Sequence, residues 1–458
     1  MKIIIAGDGK VGATLTRQLS LEGNDLTLID SNPRVLDSSI EQYDILTVTG
    51  NCATMDVLRR ANVEEAELLI AATSADEINL LCCMTAHAIN PALHTIARIR
   101  NPEYTEQIYQ MRDVFALSLI VNPERQAAVE MERLLSFPGF LRRDSFARGR
   151  LEIVELRVDA ASKLKELARG VDVALHELNT IIKCKVLICT VLRSGTVIMP
   201  RGDFILREGD RIFVTAPTEA LATLLKNLGI ITHRVNRVIL AGGGRISYYM
   251  VQQLEKRGIQ TTIIEKDPQR CVELAELLPR VTVIHGDASD PQVLESEGLR
   301  ETNALVSLTG IDEMNLLISL YATNLGVPQV ITKLGHLDNS NILDNLAIGS
   351  VVSPKELCCA NIVRFARALQ NQTGAAVSVH SIANGQAEAV EFRVDEQTPR
   401  CGEPLKAIRL RKNVLLAGIS HGGRTEIPNG DSVFHIGDTL IIVVTADTVI
   451  HQLNEIFE

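Results

Sequence analysis

The sequence predicts an α/β protein in which a doubly wound parallel sheet is made twice, each copy followed by a small α+β module. Three observations carry that expectation. Short, continuously apolar runs alternate with longer helical stretches, the pattern of a parallel sheet covered on both faces. A glycine turn, "AGDGKVG" at residues 6–12, follows the first of those runs. "AGGGRIS" at 241–247 repeats it, so that Gly242 answers to Gly7 and Glu265 to Asp30, both 235 positions further on.

Strands are expected near 2–6, 26–30, 45–49, 68–72 and 94–99, with the longest helix near 76–90. Runs such as "KIIIA" and "LLIAA" are rich in Ile and Leu and end at Gly, Thr or Ser, which marks buried strands. The repeat continues: "AATSADEINLL" (71–81) pairs with "SLTGIDEMNLL" (307–317), and "EIVELRV" (152–158) with "EAVEFRV" (388–394). Each small module has short strands broken by Gly-Asp turns, "GDFILREGD" and "GDSVFHIGD". A helix is expected near 161–168 and a closing helix near 217–228. The stretches 136–150 and 370–386 are polar or Gly-containing and read as connections. The expected domains are therefore 1–135, 150–231, 235–368 and 386–458. The period is too long for a solenoid.

A formal charge of -10, no Trp and 3% aromatic residues argue against a nucleic-acid partner. The nine Cys include the adjacent pairs Cys82-Cys83 and Cys358-Cys359 but no C-x-x-C, so buried reduced thiols are expected. No H-E-x-x-H occurs. No uncharged apolar run approaches the roughly 18 residues of a membrane-spanning helix.

Gly7-Asp8-Gly9-Lys10-Val11-Gly12 has G-x-G-x-x-G spacing between a strand and a helix, with an acid, Asp30, closing the second strand. That conjunction marks a Rossmann-like fold that grips a dinucleotide. Gly7 permits the turn, Gly9 lets the backbone approach a pyrophosphate, and Gly12 lets helix and strand pack. Asp30 suits ribose hydroxyls and so NAD rather than NADP. In the second copy Gly242-Gly243-Gly244-Arg245-Ile246 is followed by Ser247, and Glu265 holds the ribose position. Binding is expected at both, with an empty nucleotide fold as the alternative. Thr73 and Thr309 should end strand four facing the crevice. Asp76, Glu77 and Asn79 then open a helix, either as a capping turn or as a loop facing ligand or subunit. Arg98 and Arg100 stand two apart at the end of strand five, so both can face nucleotide phosphates or form surface ion pairs. The second copy has Lys333 and Gly335 there, which predicts unequal sites. Neither crevice carries a His–Asp pair or Tyr-x-x-x-Lys, so the nucleotide is expected to be sensed rather than consumed.

The turn "GDGKVG", Asp30, "VTGNCATMDVL", "AATSADEIN" and "IARIRNPEY" together resemble the TrkA family. These are cytosolic nucleotide-binding subunits of Trk-type potassium uptake systems, built from RCK (regulator of K+ conductance) N-terminal and C-terminal domains. The resemblance covers essentially the whole chain and is strongest in residues 1–130. Ser247 and the missing second arginine pair depart from it. It implies NAD(H), with ATP and ADP, as ligands, and adds Asn51, Cys52, Ser74, Asp287 and Ala288 to the binding residues. It implies a homotetramer whose eight RCK units ring the cytoplasmic side of a TrkH-like potassium-translocating membrane subunit. The chain would then be peripheral to the inner face of the membrane, and not an enzyme.

Overall fold

The computed structural model describes residues 1–137, 139–158, 174–228, 235–335, 346, 348–369, 376–445, 447–448, 450 and 452–458. The helix expected near 161–168 lies outside them. The chain forms two compact units, Met1–Val129 with Ser353–Gln370, and Glu130–Val352 with Asn371–Glu458.

In the first unit six parallel strands, β1 (Lys2–Ala6), β2 (Asp25–Asp30), β3 (Leu46–Thr49), β4 (Leu68–Ala71), β5 (His94–Arg98) and β6 (Leu119–Val121), run in the order β3-β2-β1-β4-β5-β6. The order reverses between β1 and β4, and in such sheets ligands bind beyond the carboxyl ends of the strands at that point. Ile3, Ile4, Ile5 and Leu68 to Ala71 are buried on both faces, which is why these strands read as unbroken apolar runs. β6, of three residues, is too short to announce itself. The helix Pro354–Leu369 comes from the other half of the sequence, yet Cys358, Cys359 and Ile362 pack here with Leu15 and Leu19. Arg367 also bonds Glu22 at 3.0 Å. This helix therefore does not close the expected domain 235–368.

The second unit repeats the sheet with β12 (Arg237–Ala241), β13 (Gln260–Glu265), β14 (Thr282–His285), β15 (Ala304–Ser307), β16 (Gln329–Lys333) and β17 (Ser350–Val352), in the order β14-β13-β12-β15-β16-β17. Here residues from the end of the helix Pro123–Ser136 and beyond serve as cover. Gln329 donates to the Leu134 carbonyl at 2.7 Å and Ser350 to that of Phe140 at 3.1 Å.

The same unit holds both small modules, each a five-stranded antiparallel sheet. The first has β7 (Arg142–Phe146), β8 (Leu151–Arg157), β9 (Leu187–Arg193), β10 (Thr196–Ile198) and β11 (Arg211–Pro217), in the order β10-β9-β11-β8-β7. The second has β18 (Ala376–Ile382), β19 (Ala387–Arg393), β20 (Val414–His421), β21 (Arg424–Glu426) and β22 (Thr439–Thr445), in the order β18-β19-β22-β20-β21. Their first strands, β7 (Arg142–Phe146) and β18 (Ala376–Ile382), lie inside the two stretches expected as connections. Polar, Gly-flanked sequence hid them, because each is an edge strand whose burial is partial. The closing helix of the first module, Leu221–Asn227 after a 3₁₀ turn, falls where expected, whereas the second module closes with a 3₁₀ turn at Leu453–Ile456. The helix Leu175–Ile182 was not expected.

The two modules share one core, in which Phe146, Leu151, Ile153 and Phe213 meet Ile382, Ala389, Ile441 and Val443. Across it Asp144 takes a hydrogen bond with His380 Nδ1 at 3.0 Å and a forked pair from Arg142. Burial works against the charge of Asp144, but the Arg142 guanidinium and His380 outweigh it and hold the carboxyl well below its ordinary range. A depressed folded-state pKa contributes stability above the unfolded value and loses it as pH falls below about 4. Arg142 is partly open to solvent, so screening limits the effect to about 1–2 kcal/mol. Asp144→Asn should therefore flatten the acid limb of the unfolding midpoint below about pH 4, the carboxylate's ordinary pKa, where the depressed folded value lets the loss accumulate. An unchanged acid limb would remove the Asp144 pairing from the account.

Candidate functional site

The site is built from the residues that follow β1 and β12. Gly7 and Gly242 have φ of +100° and +118°, a left-handed region that favours glycine. A side chain on Gly7 would meet the Thr73 backbone nitrogen at 2.9 Å, so the turn and the loop after β4 lie against each other. A Cβ on Gly12 would overlap the Gly7 carbonyl oxygen. The second copy tolerates Ser247 because its hydroxyl donates to the Gly242 carbonyl, converting that contact into a hydrogen bond.

Gly9 and Gly244 differ from these. A Cβ on either would touch nothing within 4 Å. Each precedes a 12-residue helix, Lys10–Leu21 or Arg245–Lys256, with no side-chain cap and no acid in its first turn. Nearby helices are capped by the side chains of Asn32, Asn101 and Asp267. Lys10 and Arg245 are exposed, while Val11 and Ile246 point into the core. Free N–H groups at an uncapped, unneutralised helix start favour an anion.

The acids at the ends of β2 and β13 reach the turn. Asp30 Oδ2 accepts from the Asp8 N–H at 2.8 Å, and Glu265 Oε2 from the Gly243 N–H at 2.6 Å. The longer Glu is matched by loss of a side chain opposite it. A Cβ on Gly243 would lie 3.0 Å from Glu265 Oε2 and 2.5 Å from Leu274. Where Leu274 stands, the first copy has Ser39, whose hydroxyl donates to Asp8 at 2.6 Å. Asp8 is buried, and burial lifts its carboxyl, with Ser39 opposing and Asp30 adding to the rise. Ser39 and Leu274 were missed in the sequence, since their partners are set by folding rather than spacing.

The loops after β4 and β15 are organised by one buried asparagine each. Asn79 Oδ1 accepts from the Thr73 N–H at 2.8 Å and from its hydroxyl at 2.7 Å. Its amide donates to the Thr73 and Arg98 carbonyls at 3.3 and 2.8 Å. Asn315 makes the same four bonds to Thr309 and Lys333. Asp76 does not cap its helix, because the cap position is Ala75. Its Oδ2 instead accepts from the backbone of Arg100 and Asn101 at 2.8 and 2.7 Å, and Asp312 holds Gly335 likewise. The repeated "DEIN" and "DEMN" were the available signal.

Arg98 and Arg100 do converge on one loop. Arg98 donates to the Thr73 carbonyl at 2.5 Å, and Arg100 to that of Ser74. Burial and then the neighbouring Arg100 pull the Arg98 guanidinium below its usual pKa, yet it stays cationic. In the second copy Lys333 Nζ takes the place of Arg98, 2.6 Å from the Thr309 carbonyl. One cationic side chain therefore stands there in place of two.

The remaining predicted residues organise their own loops. Asn51 accepts from the Ala53 N–H at 3.0 Å, and Asp287 from the N–H and hydroxyl of Ser289. The Lys266 ammonium, then Ser289, bring the Asp287 carboxyl down to about 2. Cys52 and Ala288 are buried in the cores. All nine cysteines are free thiols, and burial pushes Cys83, Cys189 and Cys358 up to about 12. A pocket lined by Lys2, Asp25 and Leu46 lies at the opposite, amino-terminal ends of the strands, away from both glycine turns.

Comparison with known proteins agrees with this fold. The TrkA-N domain matches residues 3–123 and 238–354, and the TrkA-C domain residues 163–229 and 389–457. The Trk system potassium uptake protein TrkA of Azorhizobium caulinodans is 29% identical over 455 residues, spanning 98% of this chain and 97% of its own. A homologue from Archaeoglobus fulgidus is 30% identical over 457 residues, covering 100% of both chains. Among solved structures, the GsuK RCK domain aligns with TM-score 0.61 at 17% identity, over 97% of this chain and 92% of that one. The GsuK channel bound to NAD aligns with TM-score 0.59 at 19% identity, over 97% and 77%. These structures share the fold, and with both domain types present twice in tandem the chain belongs to the TrkA-N/TrkA-C family.

Proposed function

We propose that the chain is a nucleotide-sensing regulatory subunit of a Trk-type potassium uptake system, and not an enzyme. The observation that carries this is the pair of uncapped helix starts at Gly9 and Gly244, each open to solvent and each beside an acid that closes the second strand. NAD(H) fits that arrangement. The helix start would hold the pyrophosphate, and Asp30 or Glu265 the ribose hydroxyls. Arg98 and Arg100 would favour the more highly charged ATP or ADP in the first copy.

The names of the relatives support the potassium-uptake part of the reading, and the NAD-bound GsuK channel supports the ligand. The assembly would be a homotetramer whose eight units ring the cytoplasmic face of a TrkH-like membrane subunit. Among the described residues no helix is long and apolar enough to cross a membrane, so the membrane-embedded part would come from that partner. Nucleotide would act through its different affinity for two shapes of the ring.

Gly9→Val tests the site with little risk to folding, because its Cβ meets nothing. NADH titration should find about one fewer site per chain, with the unfolding midpoint preserved. Retention of both sites would place the pocket elsewhere. Copurification of the membrane subunit with nucleotide varied tests the assembly, and steady turnover of NADH with carbonyl substrates would favour an oxidoreductase instead.

A further inference from the structure

We propose that His421, His435 and Asp438 form a binding site for a divalent transition metal of the Zn2+ type in the second small module. The three offer ligand atoms that all lie within 4.8 Å of one another. His421 Nδ1 is 2.7 Å from Asp438 Oδ2, and His435 Nδ1 is 3.9 Å from the same oxygen. Tetrahedral Zn2+ with bonds of about 2.0–2.2 Å holds its ligands about 3.4 Å apart, between these two separations. Small side-chain rotations would bring all three atoms to the ion.

The duplication supplies the comparison. "VLRSG" in the first module stands where "ISHGG" stands in the second, and "ILREGD" where "VFHIGD" stands. Arg193, Arg207 and Asp210 thus occupy the places of His421, His435 and Asp438. In the first module Arg193 forks onto Asp210 at 2.8 and 2.7 Å and lies over the Phe204 ring. Asp210 Oδ2 also accepts the Arg207 backbone N–H at 2.7 Å. The second module keeps the backbone part of this cradle, with Asp438 Oδ2 accepting the His435 N–H at 2.6 Å. It changes both cations to histidine. An arginine neutralises a carboxylate permanently and ligates no metal. Two imidazoles on one carboxylate make a nitrogen–oxygen ligand set suited to Zn2+. A single Arg-to-His exchange would be explained by a neutral hydrogen bond, but that leaves the second exchange without a reason.

The setting also fits. Asp438 is buried and its turn is fixed by bonds between Val394 and both Gly437 and Asp438 at 2.9 Å. A ligand held by its own loop is oriented before the metal arrives. His421 is the last residue of β20 (Val414–His421), paired with Arg424 across the β20–β21 hairpin. The ion would therefore tie that hairpin to the Gly-Asp turn before β22 (Thr439–Thr445). His421 is half-buried and His435 exposed, which leaves the fourth position to water. The nearby Cys401 gives its thiol to the Thr398 carbonyl at 3.4 Å and is outside the ligand set.

The test uses the full chain stripped of metal by chelator. Zn2+ is titrated against a chromophoric competitor, with the unfolding midpoint read in parallel. The parent should bind one Zn2+ per chain through this site and unfold at a higher temperature when it is bound. His421→Arg rebuilds the clamp of the first module and should fold. It should lose at least tenfold in affinity and all of the Zn2+-dependent shift, and His435→Ala should do the same. Arg193→His in the first module is the control that leaves parent binding intact. A parent that binds no Zn2+ at micromolar concentration overturns the proposal. So does a His421→Arg variant that binds as the parent does, since the ion would then be held by other residues.

Discussion

Gly12→Val is expected to destabilise the first unit more than any other single change at the turn. The new Cβ would overlap the Gly7 carbonyl oxygen, and Gly7 cannot retreat because the Thr73 backbone lies directly behind it. Overpacking of a fixed backbone costs about 1–3 kcal/mol, and this position belongs at the upper end. Binding at the first site should vanish with it, since turn and helix must separate. Gly12→Ser should fall between parent and valine variant. The second copy shows how a hydroxyl there can bond the turn carbonyl, though its own turn is already adapted to Ser247. Denaturant midpoints and NADH titrations of both variants decide this. A valine variant as stable as the parent would mean that the close approach of helix and strand is not needed.

The second large effect is expected at Asn79. It is fully buried and makes four hydrogen bonds, so Asn79→Ala would take from the half-buried Thr73 N–H and Arg98 carbonyl the partner they share. An unsatisfied buried group costs about 1–3 kcal/mol, and two half-buried ones should cost about 3 kcal/mol in all. The loss should also show at the ligand. Thr73 would no longer be pinned against Gly7, and the strand end carrying Arg98 would loosen. Asn79→Asp separates the two halves of the role. It keeps an acceptor for Thr73 but places a carboxylate against the Thr73 and Arg98 carbonyls. Both variants should weaken NADH binding at the first site, and the matched Asn315 changes should act only at the second. If Asn79→Ala lowers stability and leaves NADH affinity untouched, the asparagine supports the fold without shaping the site.

The parts of this molecule that were legible in the sequence are those fixed by local pattern. Both-face burial makes β1 and β4 read as apolar runs, and three glycines at fixed spacing, with an acid at the next strand end, define the turn. Edge strands escaped because β7 and β18 bury only part of their surface and carry Arg, Asp, Ser and His. The packing of Pro354–Leu369 against the first sheet escaped for a different reason. An amphipathic helix shows in its sequence that it has a buried face, but not which sheet that face will meet. At the site, the glycines, Asp30 and Glu265 were readable, and so was the unequal charge of "IARIR" and "ITKLG". The pairing of Asp8 with Ser39, and of Asn79 with Arg98, was not, because each joins residues brought together only by the parallel crossover.

The match between Glu265, Gly243 and Leu274 on one side, and Asp30, Asp8 and Ser39 on the other, makes the two halves epistatic. Aspartate introduced alone at Gly243 would meet Leu274 and Glu265 at close range. Aspartate introduced alone at Glu265 would fall short of the N–H it now holds. Contacting positions of this kind do not contribute additively. A route from one turn to the other must therefore change all three residues in concert. Although the halves began as copies, recombination between them at these segments would produce mismatched turns, and each half is held to its own sequence by its neighbours.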